Sequence, residues 1–164
     1  MEDKINFTKF QKRTELLSVI ALCFLFMYIV SNWSSIPARI PSHYDMNGVM
    51  ITNRSSKSSL LLLPVISLAI YVLLTVVLFF PKTWNIPVKV TDENRARVYV
   101  VTRSMLCVLK LLTMLLFISI TVSLVKMREP WISFFIILFG GFFCVLGGFT
   151  VKIIKTSKPV DILD

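Results

Sequence analysis

The run Leu60-Leu-Leu-Leu-Pro-Val-Ile-Ser-Leu-Ala-Ile-Tyr-Val-Leu-Leu-Thr-Val-Val-Leu-Phe-Phe80 contains no charged residue, and its reading decides the fold. At about 1.5 Å per residue, roughly 20 apolar residues cross the hydrocarbon core of a bilayer as a helix. A helix is required because an unpaired backbone N–H or C=O is too costly in lipid. Three more runs flank this one: Leu16–Val30, Met105–Val125 and Ile132–Val151. The first is shorter, and Ser31, Asn32 and Trp33 complete it at the interface. The expectation is an all-α integral membrane protein with four transmembrane helices at about 14–33, 59–80, 92–125 and 131–155. They form a single membrane domain over residues 1–164, with a long structured outer loop at 34–58.

Composition agrees: 55% of residues are hydrophobic and 16% are charged, against about 25% charged in a soluble domain. The net charge of +9 is spread between the apolar runs. That pattern suits anionic lipid headgroups, and no basic, aromatic-interleaved stretch speaks for nucleic acid. Lys4, Lys9, Lys12, Arg13, Lys82, Lys89, Arg95, Arg97, Arg103, Lys152, Lys155 and Lys158 fall on the side of the N-terminus. The other side holds Arg39, Arg54, Lys57, Lys126 and Arg128. Twelve cations against five place both termini in the cytoplasm by the positive-inside bias. Trp33, Trp84 and Trp131 sit at span borders, as interfacial anchors do. Residues 1–35 also fit a signal peptide, but no convincing small-x-small cleavage site follows the run, so an uncleaved first helix is expected. Cys23, Cys107 and Cys144 lie within spans and imply no disulfide.

Between the first two spans lies Ile36-Pro-Ala-Arg-Ile-Pro-Ser-His-Tyr-Asp-Met-Asn-Gly48. Pro37 and Pro41 hold the residues before them extended, so Ile36 and Ile40 are expected to turn back toward the membrane and lay the loop over the helix tops as a lid. His43 with Asp45 and Asn47 falls short of a zinc ligand set, and Asp-x-Asn-Gly is too short for a calcium loop. The bland reading is a turn in which Asp45 and Asn47 bond their own backbone and Gly48 takes positive φ; the other is recognition of a ligand. A serine in Asn53–Ser59 is expected to cap the second helix. Thr91-Asp-Glu-Asn94 reads as the start of the third helix, acids in its first turn. A helix from there to Val125 would be about 50 Å long, so its first turns should project beyond the bilayer.

Lys110 is the one charge deep inside an apolar run. It either snorkels or pairs with Glu15, the acid nearest in depth, or it lines a transport path. Gly140, Cys144 and Gly148 form a small-xxx-small stripe that admits another helix, either within the bundle or from a second chain. Ser67, Tyr71 and Thr75 make a similar polar stripe on the second span. No nucleophile–base pair, phosphate loop or carboxylate pair is evident, so neither an enzyme nor a cofactor or metal is expected.

With the loop placed outside, Ile36-Pro-x-x-Ile-Pro-x-His-Tyr-Asp-x-Asn-Gly48 followed by Lys57 resembles domain-of-unknown-function family 1648, found in SdpI-like bacterial membrane proteins. The resemblance covers about Leu16 to Phe80 and extends toward the Glu93-Asn-Arg…Thr-Arg103…Lys110 segment. Nothing after Trp131 matches the further spans and Asn-Tyr-Phe…Gly-Ile-Arg-Thr-Pro-type segment of the longer members, so the chain resembles a short form. The resemblance implies a multi-pass protein of the bacterial plasma membrane that gives immunity to a membrane-active peptide toxin. It points to Pro37, Pro41, His43, Asp45, Asn47, Gly48 and Lys57 as recognition residues. The alternative is an accessory subunit of a membrane transporter or sensor, in a homo- or hetero-oligomer joined through the glycine stripe.

Overall fold

A computed structural model describes residues 6–41, 54–127 and 132–158. Four helices, α1 (Lys9–Asn32), α2 (Leu62–Phe79), α3 (Arg95–Val125) and α4 (Ile132–Ser157), run up and down in chain order. Each is part of a segment long and apolar enough to span a membrane. α3 is the hub, with α1, α2 and α4 each packed against it. Among the described residues the only strands form a two-stranded antiparallel ribbon of β1 (Arg39–Pro41) and β2 (Arg54–Ser56), which pairs Arg39 with Ser56 and Ile40 with Ser55.

Local chemistry explains the helix limits. α1 begins at Lys9, well before residue 14, because Thr8 and Gln11 form a capping box. The Gln11 amide donates to Thr8 Oγ1 at 3.2 Å, and the Thr8 amide donates to Gln11 Oε1 at 3.0 Å, satisfying two free donors of the first turn. Before α2 the chain makes a 3-10 turn over Lys57–Leu61, and the serine cap sits there: Ser56 Oγ accepts from the Ser58 amide at 3.3 Å. α3 starts three residues later than expected. Its N-cap is Asn94, whose side chain reaches back to accept from the Thr91 amide at 2.9 Å, leaving Asp92 and Glu93 ahead of the helix.

Polarity is inverted relative to a soluble bundle. Met27, Val30, Leu73, Phe79, Ile137 and Phe143 are exposed, whereas Gln11, Ser18, Ser67, Lys110 and Thr121 are fully buried. Lipid is as apolar as leucine, so little is gained by hiding leucines, while polar groups are driven inward to find partners. Ser18 and Ser67 bond carbonyls of their own helices, Thr14 O and Pro64 O, both at 2.9 Å.

Apolar packing falls in three tiers. Ala21, Leu22, Leu25 and Met114 fill the middle. Ile36, Ile40 and Leu60 close the ribbon end. Val98, Val101 and Ile153 close the opposite end. There the first turns of α3 do not stand free: α4 runs alongside, and Ile86, Val88 and Val90 of the connecting segment fold over them.

The glycine stripe overturns one expectation. Gly140 and Gly148 on α4 are exposed, and so is Cys144. A Cβ built at either glycine would meet nothing within 4 Å. The stripe therefore does not serve packing within this bundle, because α4 turns its other side to α3.

Candidate functional site

Lys110 stands midway along α3 and is completely buried. It does not snorkel, since its side chain would have to leave three surrounding helices to reach water. Its ammonium has three N–H donors, and its partners come from two other helices. Glu15 Oε2 on α1 accepts at 2.5 Å and Thr75 Oγ1 on α2 at 2.9 Å, and the Tyr71 ring centroid lies 4.4 Å from Nζ. Thr75 in turn donates to Tyr71 O at 2.7 Å. Tyr71 and Thr75 of the polar stripe on α2 thus meet the one charge deep inside the apolar run of α3.

The geometry makes this centre a lock. A charge paired and hydrogen-bonded in a low-dielectric interior is held in one arrangement, because any shift strands it without a partner. The second Glu15 oxygen, Oε1, is buried and has no hydrogen-bond partner among the described residues. Toward the α1 start, Gln11 Nε2 donates to Val100 O and Ser104 Oγ, each at 2.9 Å, zipping α1 to α3. The Arg103 guanidinium lies 4.8 Å from the Phe7 ring centroid and 5.9 Å from that of Trp84. Gln11 and Ser104 were not apparent from hydropathy, but the Thr-x-x-Gln spacing at residues 8–11 carried the signal.

At the other end, β1 and β2 fasten the base of the loop between α1 and α2. Alternation along β1 turns Ile40 inward, 4% exposed, and leaves Arg39 outside. Ile36, Ile40 and Leu60 pack beneath the ribbon on Leu63 of α2 and Leu124 and Val125 of α3. Pro37 is exposed beside them, and Pro41, which lacks an N–H, sits where a two-stranded ribbon tolerates it. The Lys57 amide donates to Ala38 O at 3.0 Å, and its ammonium reaches Trp33 O at 3.4 Å and lies 4.8 Å from the Trp33 ring centroid. Of the residues singled out in the loop, the structure places Pro37, Pro41 and Lys57 at its base. His43, Asp45, Asn47 and Gly48 lie outside the described residues. Among the described residues no group of three or more His, Cys, Asp and Glu side chains is arranged to hold a metal.

The fastened segment is also the one that known proteins share. Residues 19–68 match the family described as domain of unknown function (DUF1648). The DUF1648 segment takes in most of α1, the α1–α2 connection with its ribbon, and the first turns of α2. Glu15, Tyr71, Thr75 and Lys110 all fall outside it, so the lock is built from the flanks of the DUF1648 segment and from α3. Comparison with curated proteins and with solved structures gives no match.

Proposed function

We propose that this multi-pass membrane protein recognises a membrane-active peptide at its outer face and protects a bacterial cell from it. The supporting observation is the coincidence of the DUF1648 segment with a loop whose base is fastened by a ribbon and packed onto the helix tops. Fastening the two ends of a loop lowers the ordering cost of capturing a ligand. The twelve-to-five distribution of cations supports a topology with both termini in the cytoplasm of the plasma membrane and the ribbon outside. In this reading His43, Asp45, Asn47 and Gly48 supply contacts and the prolines and Lys57 position them. Binding rather than catalysis is the activity.

The test is expression of the full chain in a peptide-sensitive bacterium challenged with the membrane-active peptide encoded beside it. Protection should raise the inhibitory concentration roughly tenfold, equivalent to about 1.4 kcal/mol of capture. His43→Ala with Asp45→Ala should remove that gain at unchanged membrane abundance. Equal killing with and without the chain would sink the proposal.

A second reading, an accessory subunit of a membrane complex, draws on α4, whose glycine stripe is uncovered in the single chain. A Cβ at Gly140 or Gly148 meets nothing within 4 Å, so with Gly140→Leu and Gly148→Leu the bundle should stay intact while a partner fails to co-purify from native membranes. Undiminished recovery of the partner would count against this reading.

A further inference from the structure

At the end of the bundle away from the ribbon, the first turn of α3 and the last turn of α4 enclose a cleft of about 380 Å³. Its framework is built by one side chain. Asn94, 5% exposed, donates to Lys89 O and to Ser157 O, each at 3.1 Å, while accepting from the Thr91 amide. This ties the incoming segment, the α3 start and the α4 end into a single wall.

The lining is cationic. Among the described residues Lys89, Arg97 and Lys158 line the cleft with one carboxylate, Glu93. The Arg97 Nε donor is buried and has no hydrogen-bond acceptor among the described residues. A buried guanidinium N–H without an acceptor is costly, and the group that best satisfies it is an anionic oxygen. The α3 dipole adds positive potential at the same place.

Depth fits as well. With 31 residues α3 is about 46 Å long, and α4 with 26 is about 39 Å. Both exceed the ~30 Å hydrocarbon core. Since the α3 start and α4 end lie side by side, the cleft falls at the level of the headgroups. The geometry points to a phosphate-binding site, formed by Arg97, Lys89 and Lys158 around the Asn94 bracket, that takes the phosphate of an anionic lipid headgroup or a free phosphate ion. Basic pockets between transmembrane helices bind anionic headgroups in this way.

The site is independent of peptide recognition at the opposite end. It is tested on the full chain, delipidated in detergent and titrated with dihexanoyl phosphatidylglycerol, dihexanoyl phosphatidylcholine or inorganic phosphate while adducts are followed by native mass spectrometry. Phosphatidylglycerol should bind in preference to phosphatidylcholine, and Arg97→Gln and Lys158→Gln should each weaken it roughly fivefold. Lys12→Gln, an exposed lysine of α1, should leave binding unchanged. Saturable binding of inorganic phosphate, lost in the same variants without any lipid preference, would also support the site and assign it to the free ion. Equal binding of both ligands by wild type and by Arg97→Gln/Lys158→Gln, at unchanged helicity, would overturn it. Should Arg97→Gln fail to fold, Lys89→Gln/Lys158→Gln, altered only at exposed side chains, makes the same comparison.

Discussion

Lys110→Met should lower the unfolding free energy in detergent by about 3 kcal/mol, and adding Glu15→Leu should restore most of the loss. Methionine keeps the length and apolar stem of the lysine, so packing against Tyr71 survives while the ammonium is lost. Glu15 then retains a carboxylate in the bundle without its 2.5 Å partner, its other oxygen already unbonded. The penalty stays at the low end for broken buried pairs, since the Glu15 side chain is 20% exposed and gains some relief from its surroundings. Removing both charges eliminates the unpaired group, so the double variant should exceed the sum of the singles in stability. Thermal unfolding by circular dichroism across the four-member cycle measures this coupling. Additive losses would show that Lys110 and Glu15 act separately, and an unchanged single variant would show that the ammonium holds nothing.

Leu60→Ala should be the next most damaging change, at about 2–5 kcal/mol. Leu60 is 1% exposed and lies in the 3-10 turn between ribbon and α2, beneath Ile36 and Ile40. Truncation leaves a cavity that the surrounding turn, pinned by the Lys57 amide, cannot readily fill. The effect should be local. Amide exchange should accelerate at Arg39, Ile40 and Arg54–Ser56 and remain slow around Cys107 at the centre of α3. Peptide protection should fall with it, because the loop loses its foundation while the bundle persists. Uniform acceleration throughout the chain would mean that the ribbon end is not a separate cooperative unit.

The spans were legible because lipid imposes a simple requirement: roughly 20 apolar residues with their backbone satisfied internally. Ile36 and Ile40 were legible through the prolines that follow them, and Glu15 through its depth. The rotational phase of the helices was not. Tyr71 and Thr75 form a recognisable polar stripe, yet only the packing of α2 on α3 shows that this stripe receives Lys110. The same limit explains the glycine stripe. Its spacing says that another helix can approach but not whose, and here α4 presents it away from its own bundle. Asn94 was legible as part of a helix start, whereas its bonds to Lys89 and Ser157 depend on where α4 ends.

The lock at Lys110 also bears on how the chain is made. α1 and α2 carry Glu15, Tyr71 and Thr75, but their common partner emerges from the ribosome only with the middle of α3. Until then the first hairpin holds the Glu15 carboxylate without its cation, and the ion pair closes only when the third helix joins. A chain that stops before residue 110 therefore leaves the Glu15 carboxylate without its ammonium partner. For the same reason, residues 19–68 grafted alone onto another membrane protein would bring the ribbon without the grip that keeps its two helices together.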